Sequence, residues 1–178
     1  MKKLLCGLLF FVPGIALAQS QWVLEQSTLT YHVSHPLHHV EGTSHEARGK
    51  GVCQAGQCDF LIAVPVKTFD SGDSNRDLHM IQAVRGGAYP IVTVRTRLPE
   101  SAAATSPLST DLDIQFAGQT AHYAQIPFQR VEHGKESRIT GTIPATVSDF
   151  KIPPPSLLAV PIKNDIPITV DLIWRQNP

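Results

Sequence analysis

A repeated alternation of apolar and polar residues is the feature that most limits how this chain can fold. Leu29, Tyr31 and Val33 alternate with threonine, histidine and serine neighbours. Four segments share this pattern: residues 28–35, 92–98, 111–116 and 166–175. Because successive side chains of a β-strand point to opposite faces, a period of two predicts strands with one buried face.

Other segments are also typical of strands. Residues 60–66 are almost continuously apolar, and residues 137–147 are rich in threonine and isoleucine. Residues 40–52 are expected to be extended, while residues 101–110 are predicted to form a surface connection. Five small residues leave little side-chain bulk in the extended segment: Gly42, Ser44, Ala47, Gly49 and Gly51. Small residues in a strand mark a close backbone approach or room for another group.

One segment, residues 74–84, has the pattern of a helix. Asp73 or Ser74 is placed to cap its N-terminus, and Leu78 and Ile81 are predicted to share its apolar face, with Met80 as a further candidate. About eight short strands with one helix predict an all-β chain that forms a single antiparallel barrel or sandwich. An eight-stranded barrel is either filled by its own side chains or holds one small ligand.

The N-terminus has the layout of a secretory signal. Two lysines precede an apolar stretch at residues 4–12, and Ala-Leu-Ala follows at residues 16–18. This predicts a signal peptide over residues 1–18, cleaved before Gln19, and a single domain over residues 19–178. A membrane anchor is disfavoured because the apolar stretch is shorter than the roughly 20 residues that span a bilayer. No later stretch is long and apolar enough to form a transmembrane span.

The balanced charge of the chain argues against strongly anionic partners. The chain carries 15 Lys and Arg against 15 Asp and Glu, with no basic run. Neither nucleic acid nor an anionic lipid surface is therefore expected to bind through a charged patch.

Two cysteines remain after the predicted cleavage, Cys53 and Cys58. They flank a predicted four-residue turn between two strands, and an exported protein keeps its disulfides. The alternative is a metal pair, but the spacing is wider than in zinc knuckles and no second cysteine pair exists. The sequence favours a disulfide across the neck of a hairpin.

Several motifs resemble the signature of the YceI-like, polyisoprenoid-binding family. Thr-Phe-Asp-Ser-Gly at residues 68–72, Arg-Asp-Leu-His at 76–79 and Tyr-Pro at 89–90 are similar to the family's Ser-Ile-Asp-Thr, Arg-Asp-x-His and Tyr-Pro-x-Ile. Further similar segments lie at 31–35, 40–42 and 148–165. The segments occur in the family's order over most of residues 19–178.

This resemblance implies an eight-stranded antiparallel, lipocalin-like barrel with one short helix in a long loop. It also implies a periplasmic location, an interior that binds an isoprenoid or similar lipid, and no established enzyme activity or cofactor. The chain departs from the family between the helix and Tyr-Pro, where residues 84–88 form a shorter loop without the family's Phe-Phe-Asp. A loop that helps to close the cavity is therefore altered.

The predicted ligand site has a wall and a mouth. The wall consists of inward-facing apolar residues: Tyr31, Val33, Phe60, Ile62, Val64, Val92, Val94, Phe116, Phe128, Ile168 and Val170. The alternative for each is plain core packing. Arg76 and His79 are candidates for the mouth, where they would meet a polar headgroup or simply hydrogen-bond a neighbouring strand. Asp77 is expected to have a structural role at the helix start.

A second hypothesis is a metal- or haem-linked periplasmic enzyme that uses a histidine-rich hairpin. His38, His39 and His45 are its candidate ligands. The spacing is irregular, no His-Glu-x-x-His motif occurs, and no Gly-x-Ser-x-Gly element or phosphate loop supports another catalytic site. A third hypothesis is an interaction domain with a filled barrel. The leading prediction is a lipid carrier without catalytic residues, with the oligomeric state open between monomer and dimer.

Overall fold

A computed structural model describes residues 19–35, 38–154, 156–157 and 160–177. The predicted signal peptide, residues 1–18, lies outside the described residues. Eleven strands are present within them: β1 Ser20–His35, β2 His38–Ser44, β3 Arg48–Gln54, β4 Gln57–Pro65, β5 Ile91–Pro99, β6 Leu108–Phe116, β7 Gln119–His133, β8 Glu136–Ile143, β9 Ser156–Leu157, β10 Val160–Pro161 and β11 Ile168–Asn177. All paired strands are antiparallel.

The sheet closes into a barrel because the first long strand pairs with the last. Its order is β11-β8-β7-β6-β5-β4-β3-β1-β2, with an additional pairing of β11 with β1. β3 pairs with the start of β1, at residues 20–23, and β2 pairs with its end, at residues 29–35. β2 and β3 therefore occupy one strand position between them. The barrel has eight strand positions, as the resemblance implied. β9 and β10 form a separate two-stranded sheet.

Two helices lie at opposite ends of the barrel. Helix α1, Ser74–Ala83, is in the connection from β4 to β5, and helix α2, Glu100–Ala103, is in the connection from β5 to β6. The carboxylate of Asp73 caps α1 by accepting hydrogen bonds from the backbone N–H groups of Asn75 and Arg76. The predicted helix is confirmed and ends one residue earlier. Across the described part of the chain, helices are too short or too polar to cross a bilayer.

The prediction for residues 101–110 is wrong in part. Instead of an irregular connection, α2 forms first, and β6 then begins at Leu108 rather than near residue 111. Leu108 pairs with Phe128 of β7. This pairing is a contact between distant parts of the chain, which the local Ala- and Ser-rich sequence does not reveal.

The hairpin of β3 and β4 has a tighter turn than the four residues expected. Gln54 pairs with Gln57, so the turn contains only Ala55 and Gly56, with φ of 53° and 78°. Positive φ at both central positions matches the twist of the flanking strands. Cys53 and Cys58 lie directly opposite, with Cα atoms 4.0 Å apart and an S–S distance of 1.94 Å. The predicted disulfide is confirmed.

The small residues of β2 and β3 make room for aromatic rings. The Tyr31 ring lies over Gly42, to which it is paired, and the Phe60 ring lies over Gly51 in the same way. Because these rings fill the space that Cβ atoms would occupy, the small residues serve close packing of the barrel wall. They do not themselves open a ligand cavity.

Candidate functional site

Two cavities lie in the barrel interior, and described residues line both. The larger cavity, about 650 Å³, lies at the α1 end, and the smaller cavity, about 250 Å³, lies at the α2 end. Val94 of β5 lines both. The inward faces of the strands supply most of both walls, because alternation sends every second side chain into the barrel.

The predicted wall residues divide between the two cavities. Seven line the larger cavity: Tyr31, Val33, Val64, Val92, Val94, Phe116 and Ile168. Phe60, Ile62 and Phe128 line the smaller cavity instead, together with Val94. The predicted wall residues therefore belong to two cavities.

Val170 lines neither cavity and is a core residue. It pairs with Leu29 on one side and with Gly141 on the other, and it is buried. The ring of Phe128 packs over Gly141, where a Cβ atom would lie 2.5 Å from that ring. Side chains therefore fill the barrel at this level, and the prediction of Val170 as a cavity wall is wrong.

The α1 helix covers the larger cavity with one face. Arg76, His79, Met80 and Ala83 line the cavity, and their spacing of three and four residues places them on one side of the helix. Leu78, which was predicted to share the apolar face, is 52% exposed. That expectation is wrong for Leu78, because it lies outside the face of α1 that lines the cavity.

The chain between β8 and β11 supplies wall residues that the sequence analysis missed. Phe150 is 1% exposed, lines the larger cavity, and meets Phe116 edge-on with ring centroids 5.2 Å apart. It lies in a 3₁₀ turn, Ser148–Phe150, whose neighbours Val147 and Ile152 also line the cavity. The only available signal was the family-like Ser-Asp-Phe-Lys-Ile-Pro segment, because the region has no periodicity of its own.

Polar groups gather at the α1 end of the larger cavity, which we call the mouth: Asp73, Asn75, Arg76 and His79. The guanidinium of Arg76 donates from Nε to the Ser71 hydroxyl and from Nη2 to the Ser71 carbonyl, both at 2.8 Å. Asp77 accepts from the Ser71 amide at 3.1 Å and from its hydroxyl at 2.5 Å. Asp77 thus has the expected structural role, and Arg76 is held at the mouth with further N–H donors to offer.

The surroundings of Asp73 and Tyr31 determine the charge state of these two groups at neutral pH. Hydrogen bonds from the backbone of Arg76 and Asn75 hold the pKa of Asp73 below its usual value. Burial raises the pKa of the Tyr31 phenol, and the charge of Asp77 raises it further. The Tyr31 hydroxyl is therefore neutral and lies near the charges of Arg76 and Asp77, while the Asp73 carboxylate is charged and lies near Arg76.

The histidine-rich hairpin does not assemble a metal site among the described residues. His39 lies beside Ser34, with Nδ1 and Oγ 3.4 Å apart, whereas His45 lies beside Thr28, with Nδ1 and Oγ1 3.1 Å apart. Six residues along β1 separate these partners, a distance of roughly 20 Å. The His38 side chain lies outside the described residues, and the rest bring no three His, Cys, Asp or Glu residues together. The metal or haem hypothesis therefore has no support here.

Solved structures of similar fold are known. The crystal structure of Burkholderia cenocepacia BcnA matches with a TM-score of 0.70 at 14% identity, over 83% of this chain and 95% of that one. A polyisoprenoid-binding domain from Saccharophagus degradans, implicated in plant cell wall breakdown, matches with a TM-score of 0.68 at 14% identity, over 88% and 98%.

A third structure, the Campylobacter jejuni YceI protein, matches with a TM-score of 0.50 at 14% identity, over 67% of this chain and 73% of that one. No protein-family model and no curated protein sequence matches the chain. At this identity the likenesses establish a shared fold. They support the YceI-like resemblance at that level.

Proposed function

We propose that this protein is an exported, periplasmic binding protein that holds a long-chain isoprenoid, quinone or similar amphiphilic lipid inside its barrel. The larger cavity carries the proposal, because its volume of about 650 Å³ and its apolar wall suit such a ligand. The similarity in fold to a polyisoprenoid-binding domain supports the same choice. A carrier or sequestering role follows, with no catalytic residues.

The lipid tail would lie against five residues that line the larger cavity: Val33, Val92, Phe116, Phe150 and Ile168. Each methylene group taken out of water contributes about 0.8 kcal/mol, so ten of them contribute roughly 8 kcal/mol before the cost of ordering the chain. An apolar wall needs few polar groups to hold such a tail. The polar residues at the mouth are then free to select the head.

The charges at the mouth favour a neutral head. Arg76 is the cation there, and the carboxylates of Asp73 and Asp77 offset it. A quinone or polyprenol oxygen would accept a hydrogen bond from Arg76 or Tyr31 without bringing further negative charge. A diphosphate head would meet two carboxylates close by, which disfavours it.

The location and assembly belong to the same proposal. The predicted signal peptide favours a compartment beside membranes, where a water-soluble container for a membrane lipid is useful. Each barrel carries its own cavity, so the proposal holds for a monomer or a dimer.

Organic extraction of the purified protein, followed by mass spectrometry, tests the proposal. A stoichiometric lipid is expected, or else uptake of an added polyprenol or quinone by lipid-free protein. Ala83→Phe should block uptake because Ala83 lines the larger cavity, whereas Leu78→Phe, on the exposed side of the same helix, should not. A clean extract together with no uptake of either lipid would refute the proposal.

A further inference from the structure

The smaller cavity has no part in the proposed function, yet it has the features of a ligand site. We propose that it is a second, separate site for a small neutral molecule, about the size of a two-ring aromatic compound, that carries a hydrogen-bond acceptor such as a ketone oxygen. Its size, an unpaired hydroxyl in its wall and the charges at its rim each narrow the choice of ligand.

Volume limits the ligand. The cavity measures about 250 Å³. An apolar cavity of roughly 150 Å³ in a protein core accepts benzene. A molecule with one or two rings therefore fits, whereas a long isoprenoid does not.

The wall is apolar with a buried hydroxyl. Trp22, Phe60, Phe128 and Trp174 supply most of its aromatic surface. Ser137 also lines the cavity, is 2% exposed, and has a hydroxyl without a hydrogen-bond partner among the described residues. A buried hydroxyl that forms no hydrogen bond is costly, so a ligand acceptor that receives its proton would be favoured.

The side chain of Ser137 points into the barrel. Burial alternates along β8, where Ser137 is buried and Arg138 exposed. The pairing of Ser137 with Trp174 on β11 places the hydroxyl next to an indole ring in the cavity wall. An aromatic ligand that stacks or packs at Trp174 would thus bring an attached oxygen close to Ser137.

The rim favours a neutral ligand. The Arg130 side chain is 10% exposed, donates from Nη2 to Glu132 at 2.8 Å, and donates from Nη1 to the Ala104 carbonyl at 3.2 Å. Glu100 lines the same cavity. One cation therefore faces two carboxylates, which disfavours an anionic ligand.

The two cavities are separated by side chains. Val94 alone contributes to both linings. At the level between them, Val170 is buried and the Phe128 ring packs over Gly141. The two sites should therefore fill independently of each other.

Intrinsic fluorescence offers a specific readout. The chain has two tryptophans, and both line the smaller cavity. The larger cavity has none in its wall. Quenching of tryptophan emission by the aromatic ketone 1-tetralone, confirmed by calorimetry, reports binding at the smaller cavity.

Three probes test the proposal on the whole oxidised protein: 1-tetralone, its hydrocarbon tetralin, and the anion 1-naphthoate. Tetralone should bind more tightly than both. Ser137→Ala should weaken tetralone about two- to ten-fold and leave tetralin unchanged, because only the ketone receives the hydroxyl proton. Ala103→Phe should block tetralone by filling the smaller cavity, whereas Ala83→Phe in the larger cavity should not.

The remaining outcomes are equally decisive. No tetralone binding up to millimolar concentration would overturn the proposal, as would equal affinity for tetralone in the presence and absence of the Ser137 hydroxyl. Tighter binding of naphthoate would refute the preference for a neutral ligand. Displacement of tetralone by an added polyprenol would show that the smaller cavity is part of the lipid site. These results can be interpreted even if no lipid is found in the larger cavity, because they depend only on the smaller cavity.

Discussion

The indole ring of Trp174 occupies the space that a side chain at Gly49 would need. A Cβ atom on Gly49 would lie 2.6 Å from this ring and 3.0 Å from Cβ of Leu24. Trp174 is on β11 and Gly49 is on β3, so the ring reaches across β1. The contact ties together three neighbouring strand positions of the barrel.

Gly49→Ala should therefore destabilise the fold. Overpacking of this kind costs about 1–3 kcal/mol, because the Trp174 ring must leave its position. Urea denaturation followed by circular dichroism measures the change. Gly87→Ala is the matched control, since nothing lies within 4 Å of its added Cβ. Equal stability of the two variants would contradict the role assigned to the Trp174 ring.

Two buried serines should respond in opposite ways to removal of their hydroxyl. The Ser44 hydroxyl lies 2.6 Å from that of Thr68, which donates in turn to the Pro65 carbonyl. Ser44→Ala should lower the free energy of unfolding by about 1–3 kcal/mol, because Thr68 loses a partner.

Ser137→Ala removes a buried hydroxyl that has no partner among the described residues. The variant should be as stable as the parent or more stable, since a desolvated group is replaced by an apolar one. Thermal unfolding of both alanine variants gives the comparison. A loss at Ser137 as large as that at Ser44 would mean that its hydroxyl is satisfied.

Asp73 should make the stability of the fold depend on acid pH. The backbone hydrogen bonds that it accepts lower its pKa in the folded state. Its charge therefore stabilises the fold above the unfolded pKa of about 4, and this contribution is lost as the pH falls through the folded value.

Asp73→Asn keeps a capping oxygen and removes the charge. We expect the variant to have a lower urea midpoint than the parent at pH 7, with the difference shrinking as the pH falls below about 4. A difference that persists unchanged in acid would assign the effect to side-chain geometry instead of charge.

Arg76→Gln should weaken binding of a quinone-headed lipid. Arg76 is held at the mouth by Ser71 and keeps donors for the head, so its loss should reduce affinity about three- to ten-fold. Arg95→Gln is the control, because Arg95 is on β5 and exposed. Titration of lipid-free protein with a short-chain quinone measures both. An equal reduction in quinone affinity in the two variants would show that Arg76 does not contact the head of the ligand.

The strands could be predicted because alternation is a local property of the chain, whereas closure into a barrel followed only from the resemblance to the YceI-like family. The cap at Asp73 and the disulfide at Cys53 and Cys58 depend on near neighbours, and both follow from the sequence. The interruption between β2 and β3, in contrast, does not follow from the sequence. It coincides with hydrogen bonds from the Ala47 amide to Ser27 and from Ser44 to Thr68, which join distant segments.

The division of the interior could not be predicted for a similar reason. Inward-facing positions follow from alternation, but the height at which an aromatic ring closes the barrel depends on the glycine opposite it. Phe128 packs over Gly141, and Val170 is buried beside that pair. Phe150 enters the larger cavity from an irregular segment, where no period marks a buried side.

The pairing of β1 with β11 also determines when the barrel can close during folding. The chain's first barrel strand, Ser20–His35, must wait for Ile168–Asn177 before the ring can close. Contacts so far apart in sequence make folding slow, and until they form the barrel has two unpaired edges that can join other chains. During synthesis, which proceeds from the N-terminus, the protein would be vulnerable to aggregation until residues 168–177 have been made.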